Sequence, residues 1–495
     1  FGWLLVLTPM LWRRSLGRVG ALAAGAYLAL SPAGLVASRQ VEGTMIAALG
    51  AMVFIGGFIR FLESDRSGWL TPAALGLALG VSSGVSAYGL LLPLGLAVAV
   101  VAKAWPEDLA LRSHDDPSRL RPHAASFLLV FGVAVLVLST GLGWNLPGVG
   151  SVGGLFGAWL GRFRSGLRPS ASPLTLLAVY ELSATVFGIG GLVVGVLRGR
   201  RTAVLLGVWA ALGALMLGLM PGRAPTDLVW VVIPLALLTG MGIDELVRGR
   251  WFSGGALQVA HGSIVLVLWG HCYLMLARYA TFGDRTDLAL ALITVVLQML
   301  LSLSFGLALG ADRTVRTMAA GTGIVLMMLT VAAGWRVAYR HPTDPREPLL
   351  SEPTAVNVRD LVQTLRELSW RETGLPTTLA FTVVAPQESV LSWYLRDFTM
   401  ARHFERLSGL TSEDLGPIVV TSGRDETLVA AAQRPYAGQD FPVSRQWTPR
   451  ELGCRFWRPG CHAAVDWFLF REGVPLPEAD QWAALWRVSE LSDAE

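Results

Sequence analysis

SPAGLVASRQVEGTMIAALG, residues Ser31 to Gly50, leaves one apolar segment, crosses a short polar turn and enters another. The turn holds Arg39 and Glu42. Between two membrane spans so short a turn lies at or near a bilayer face. An ionisable group is costly there unless it pairs or meets a polar ligand. Arg39 carries a fork of donors that matches phosphate oxygens. Glu42 is open to three roles: a base, a metal ligand, or the partner of Arg39 in an ion pair that ends two helices.

The rest of the chain sets this turn among membrane spans. Of its 495 residues 53% are hydrophobic and 15% charged, against roughly 25% charged in a soluble domain. Mean hydropathy is +0.52. A polytopic α-helical membrane protein is expected, with its many glycines at helix contacts and its tryptophans at interfaces. Lys103 is the sole lysine, and the arginines sit in loops beside spans. That pattern reads as the positive-inside rule, and no nucleic-acid signature is present.

About twelve apolar segments follow from hydropathy. They fall near 1–12, 19–37, 42–62, 70–83, 90–104, 124–142, 174–197, 203–219, 228–246, 256–276, 288–309 and 318–337. Tyr88 and the glycines near it are expected to make a tight turn between two short spans. The first segment is shorter than the roughly 20 residues a span needs. The N-terminus is therefore expected to be missing, with Phe1 inside or at the start of a helix.

Basic residues assign the sides. One set of loops holds Arg13, Arg14, Arg18, Arg60, Arg66, Lys103 to Arg121, Arg198, Arg200, Arg201, Arg248, Arg250, Arg313 and Arg316. The alternate set holds Arg39, Arg162, Arg164, Arg168, Arg223, Arg278 and Arg285. The first set is roughly twice as rich and is assigned to the cytoplasm. Arg39, Arg223 and everything after about Arg340 are then extracytoplasmic, in a multi-pass protein of the plasma membrane. In the long outer loop, GLFGAWLGRFRSGL reads as an amphipathic helix on the membrane surface, a passive anchor or a guide for lipid.

After Arg340 the Pro-rich HPTDPREPLL reads as a linker. Helices are expected at 354–370, 389–398 (SVLSWYLRDF) and 425–433 (DETLVAAAQ). Strands are expected at 379–385 (LAFTVVA), 417–422 (PIVVTS) and 464–472 (AVDWFLFRE). The organisation is thus a membrane domain, 1–340, and a small extracytoplasmic α/β domain, 341–495. Cys454 and Cys461 are either a small disulfide, if that domain is outside, or two free thiols.

Three further constellations bear polar groups. In PGRAPTDLVW, Arg223 and Asp227 stand before a span, where they would hold a phosphate or an acceptor. Alternatively Thr226 or Asp227 caps the helix while Arg223 snorkels to headgroups. Glu181, in LLAVYELSATVFG, is a carboxylate near the outer end of an apolar span. It marks a functional site or a hydrogen bond to a neighbouring helix. In LSWYLRDF, Trp393, Tyr394 and Arg396 with Asp397 make either a sugar-contacting surface or a helix docked on a sheet. No P-loop, dinucleotide fingerprint, paired CxxC or HExxH occurs. His261 and His271, ten residues apart in one segment, do not share a metal.

SPAGLVASR followed by an acidic residue resembles the corresponding segment of GT-C glycosyltransferases, the polyprenyl-phosphate-sugar enzymes of the protein O-mannosyltransferase and aminoarabinose transferase type. VYELSATVFGIGGL, RAPTDLVWVVIPLALLTG, RVAYRHPTDPREPLLSEPTAVNVRDLV and LSWYLRDF resemble, in the same order, segments of the flippase-activity-associated family of archaea and Chloroflexi-type bacteria. The resemblance implies a GT-C module of about 13 spans with an extracytoplasmic C-terminal domain. It also implies sugar transfer from a lipid-phosphate donor. Such a reaction needs a carboxylate to deprotonate the acceptor and positive charge, from Arg or a divalent metal (Mg or Mn), on the leaving phosphate. The family's main catalytic carboxylate lies in the first outward loop, expected upstream of Phe1. The family's Asp just beyond the Arg would fall at Gly43 or Thr44, so Glu42 would substitute as auxiliary acid/base or metal ligand. Arg223 matches a phosphate-facing position. The implied partners are lipid-linked sugar, membrane lipids and further membrane subunits. The alternative is a catalytically degenerate GT-C scaffold that serves as a structural or lipid-binding subunit.

Overall fold

A computed structural model describes residues 1–40, 42–64, 66–104, 120–164, 171–248, 255–350, 354–387, 389–407, 410, 412–423, 436–445, 447 and 461–488. The chain divides into two compact units, Phe1–Arg340 with Leu452–Gly473, and His341–Glu451 with Val474–Glu495.

The first unit is helical. It begins with α1 (Gly2–Leu16), α2 (Arg18–Leu30), a short α3 (Pro32–Ala37), α4 (Thr44–Ser64), α5 (Leu70–Ser83), α6 (Ser86–Ala104) and α7 (Leu120–Ser139). It continues with α8 (Gly148–Gly161), α9 (Pro173–Tyr180), α10 (Leu182–Leu197), α11 (Arg201–Leu219) and α12 (Val229–Arg248). It closes with α13 (Gly255–Phe282), α14 (Arg285–Leu309), α15 (Ala311–Trp335) and a wide turn, Arg336–Arg340. Six of these segments are long and apolar enough to cross a membrane, and α9 with α10 makes a seventh if a bent pair counts as one span. The protein is a multi-pass membrane protein.

Burial ranks the spans. In the segment Pro225–Arg248, which contains α12, 89% of the apolar window is buried, against 17–22% for the segments containing α13, α14 and α15. A helix that is apolar all round needs partners on every side, and α12 has α2, α10 and α11 packed on it. Small residues set the approach: a Cβ at Gly191 of α10 would stand 2.0 Å from the Leu238 carbonyl oxygen of α12. The three peripheral helices turn leucine and valine outward, as lipid contact requires. His261 is buried against Ser302 (3.2 Å, through Nε2) and the Phe305 ring, and His271 meets Thr294 (2.9 Å), so each makes a helix–helix contact.

Charged groups collect at both ends of α12. At one end Asp244 accepts from the Gly20 amide (3.3 Å) and pairs with Arg248 (2.6 Å), while Glu245 pairs with Arg198 and Arg200. The other end carries Asp227 and its partners. Loops grouped by their arginines in the sequence are thus joined in space.

The structure corrects three local expectations. Tyr88 lies within α6, and the turn before it is made at Gly84, whose φ of +148° suits glycine. The apolar run 174–197 is broken at Glu181 into α9 and α10, bent by 100°. AVDWFLFRE is not a strand: α18 (Cys461–Phe470) is a helix that packs along α13 in the first unit. A short apolar run fits both periods, and packing decided. The expected helix at 425–433 and the Cys454 half of the expected disulfide lie outside the described residues.

The second unit is a five-stranded mixed sheet in the order β2-β1-β3-β5-β4, from β1 (Thr382–Val384), β2 (Arg402–Phe404), β3 (Ile418–Ser422), β4 (Tyr436–Ser444) and β5 (Gln481–Val488). β1 pairs in parallel with β2 and β3, while β5 runs antiparallel to β3 and β4. α16 (Asn357–Thr373) and α17 (Val390–Leu395) cover one face. Val358, Leu361, Val362 and Leu365 recur at helical spacing and bury against Val383 and Val420.

Candidate functional site

α3 is six residues long because its sequence starts and stops it quickly. Ser31 caps it, accepting from the Gly34 amide (3.1 Å), and Pro32 takes the first helical position. The polar turn 38–43 then ends it. This short helix packs against α2, α4, α12, α15, the turn Pro225–Leu228 and the turn Arg336–Arg340. Residues far apart in sequence therefore meet around SPAGLVASR.

Glu181 fixes the start of α3. It is fully buried and accepts from the Tyr27 hydroxyl (2.5 Å), the Ser31 hydroxyl (2.5 Å) and the Ala33 amide (3.0 Å). Ser31 thus caps α3 with its oxygen and donates its proton to Glu181. The break between α9 and α10 leaves Glu181 with φ −121° and ψ 33°, outside the helical region, facing these donors. Of the two sequence readings, the hydrogen bond to a neighbouring helix is what the geometry displays.

Asp227 is a second fully buried carboxylate. Its oxygens accept from the Ser86 hydroxyl (2.9 Å), the Arg162 guanidinium (3.0 Å) and the Ala224 amide (2.8 Å). The Arg162 carbonyl in turn accepts from the Gly222 amide (2.9 Å). The described part of the amphipathic stretch, which overlaps the C-terminal half of α8, is fastened in this way at Arg162 to the entrance of α12. Sequence reasoning noted Arg162 only as loop charge, since no spacing rule joins it to Asp227.

Glu42 stands beside this pair. Its carboxylate accepts from Thr226 (2.9 Å) and Thr44 (3.4 Å) and remains exposed. Arg39 does not pair with it. That guanidinium donates to the Ala338 carbonyl and lies 4.4 Å over the Tyr339 ring, also exposed. One exposed acid and one exposed base therefore flank a single turn, each anchored to a different distant segment. Arg223 turns inward to the carbonyls of Leu217, Met220 and Ala171 (3.2–3.3 Å), where it holds the end of α11.

Gly43 explains why the acid sits at position 42. A Cβ there would meet the Ser83 carbonyl oxygen at 1.8 Å, and Thr44 is 2% exposed. The turn has no room for a side chain at 43, and an aspartate at 44 would be a buried charge. Gly43→Asp is expected to destabilise the protein by about 1–3 kcal/mol through overpacking, read as a lower unfolding temperature in detergent.

No group of three His, Cys, Asp or Glu side chains that could hold a metal occurs among the described residues. The hydrogen-bond partners of Glu42 are the hydroxyls of Thr226 and Thr44, and the donor set around it does not build a divalent-metal site among the described residues. In the second unit, Trp393 and Arg396 are exposed and stacked (4.0 Å), whereas Tyr394 packs against the core.

With this geometry in view, comparison with solved structures is informative. Over 90% of its length the chain matches the crystal structure of ArnT from Cupriavidus metallidurans bound to undecaprenyl phosphate, with a TM-score of 0.50, 16% sequence identity and 81% of that chain covered. The chain shares the GT-C fold of ArnT. The apo structure of that ArnT matches with a TM-score of 0.49 and 17% identity, over 87% of this chain and 78% of the other. No protein-family pattern and no characterised protein matches the sequence. At this identity the likeness to ArnT concerns the fold.

Proposed function

We propose that the chain is a membrane glycosyltransferase that moves a sugar from a polyprenyl-phosphate carrier to an acceptor hydroxyl at the extracytoplasmic face. The observation that carries the reading is the turn after α3, where exposed Glu42 and exposed Arg39 are each fastened from behind. The GT-C fold, with an ArnT structure bound to undecaprenyl phosphate, supports a lipid-phosphate donor. The arginine bias of the loops supports the outward placement of this face.

In this chemistry the acceptor oxygen bonds to the anomeric carbon as the bond from that carbon to phosphate oxygen breaks. The polyprenyl phosphate leaves with the electron pair, and Glu42 takes the acceptor's proton. Arg39 donates to the leaving phosphate, whose charge grows in the transition state. One of its five donors is committed to Ala338, which fixes the orientation of the rest. Thr226, held in place by the Asp227 turn, orients Glu42. Arg223 supports the same loop from behind and is assigned a positioning role.

The test is transfer from radiolabelled polyprenyl-phosphate hexoses by the full-length protein. Arg39→Ala is expected to lower transfer by about 10²-fold, the scale of losing one preorganised donor to a developing anion, with folding unchanged. Full transfer by that variant would sink the assignment. A non-catalytic GT-C scaffold is the second reading. It is favoured by one observation: Asp227 and Glu181 are both consumed by internal hydrogen bonds. A well-folded wild type that transfers from no donor would select it.

A further inference from the structure

In the second unit, α16 and α17 flank a cleft of about 380 Å³. This lies within the roughly 300–1,000 Å³ of small-molecule sites. Arg359, Gln363 and Arg366 line it at i, i+4 and i+7 of α16, so they share one helix face. Trp393 of α17 lines the opposite side, with Arg396 and Asp397 just beyond. Three arginines face one carboxylate, and the cleft is cationic.

Two details distinguish it from an ordinary charged surface. Trp393 is 65% exposed, although the Arg396 guanidinium already lies 4.0 Å from its ring. One face of the indole is therefore left open. Arg396 also donates to the Trp393 carbonyl (2.8 Å), so its fork is held before any ligand arrives. Asp397 stands 3.7 Å from Arg366 and 3.8 Å from Arg396. Those separations are too long for hydrogen bonds, and they leave both guanidinium forks able to take paired oxygens.

We infer that this cleft binds a saccharide carrying a carboxylate or phosphate group. The sugar ring lays its C–H face on the open side of Trp393. The acidic group takes the forks of Arg359 and Arg366. Asp397 and the Gln363 carbonyl oxygen are within the cleft to accept from the hydroxyls, the Gln363 amide nitrogen being given to Glu367 (2.9 Å). A neutral sugar would leave the arginines unused, and a bare anion would leave the indole unused. In the glycosyltransferase reading this ligand is the acceptor; that role rests on that reading, while the binding does not.

The experiment is titration of the full-length protein in detergent, followed by tryptophan fluorescence and calorimetry. The probes are oligogalacturonate, its neutral methyl ester, glucose 6-phosphate, inorganic phosphate and phosphatidylglycerol added to the micelle. Saturable binding of oligogalacturonate or glucose 6-phosphate is expected, with the ester at least about tenfold weaker. Trp393→Ala and Arg366→Gln are each expected to weaken it about tenfold, the effect of about 1.4 kcal/mol, with unfolding temperature unchanged. Absence of saturable binding by both acidic sugars overturns the inference. So does equal binding of the ester, or indifference to Trp393→Ala. Inorganic phosphate or phosphatidylglycerol binding as tightly, with the same losses, also overturns it, in favour of a simple anion or headgroup contact. Transfer is not read, so a negative result leaves the reaction assignment standing.

Discussion

Glu42→Gln lowers sugar transfer by about 10²–10⁴-fold, the contribution of a positioned general base, and leaves the protein as stable as wild type. The amide still accepts from Thr226 and Thr44, because its carbonyl oxygen replaces a carboxylate oxygen. What it loses is the capacity to take a proton. Glu42 is exposed, so no buried charge is created or removed. The measurement is single-turnover transfer from a labelled polyprenyl-phosphate sugar, beside a thermal unfolding scan of the same preparation. Transfer within a few-fold of wild type would remove Glu42 from the chemistry.

Glu181→Ala has its effect on stability. It strands the Tyr27 hydroxyl, the Ser31 hydroxyl and the Ala33 amide in a dry interior. Each unsatisfied donor costs about 1–3 kcal/mol, so the loss for three is about 3–9 kcal/mol. That is a large part of the roughly 5–15 kcal/mol that holds a typical fold together. The expected readouts are a collapse of folded yield on gel filtration and a lower unfolding temperature. Tyr27→Phe removes three bonds: the one its hydroxyl gives to Glu181 and the two it accepts from the Ser183 hydroxyl and the Ala184 amide (3.3 Å each). A cost of about 1–3 kcal/mol is expected from that change. Wild-type stability in Glu181→Ala would mean that α3 is held by other contacts.

Much of the frame was legible in the sequence. The expected segment 19–37 is apolar as read, but it is broken at Ser31, where a Ser-Pro helix start that hydropathy passes over begins α3. The apolar positions of α16 recur at helical spacing, and they form the core face. PIVVTS and LAFTVVA hold β3 and β1. What stayed hidden needed partners remote in the chain. Ser31 reaches Glu181 across 150 residues, Glu42 reaches Thr226 across 184, and Arg39 reaches Ala338 across 299. Local periodicity carries no information about such pairs. β4 and β5 were missed for a different reason. YAGQDFPVS mixes Gly, Asp and Pro, residues depleted in strands, and it pairs only because it lies at the sheet edge beside β5.

The wiring of α3 also dictates when the site comes into being. A ribosome delivers α1 to α3 early, but the residues that fasten their far end are made much later. Ser31 waits for Glu181, Glu42 for Thr226, and Arg39 for Ala338. A nascent chain halted before residue 338 therefore presents its loose turn without its last clasp. On the glycosyltransferase reading, the same order leaves half-inserted chains without an assembled centre until α15 and the turn after it are in place.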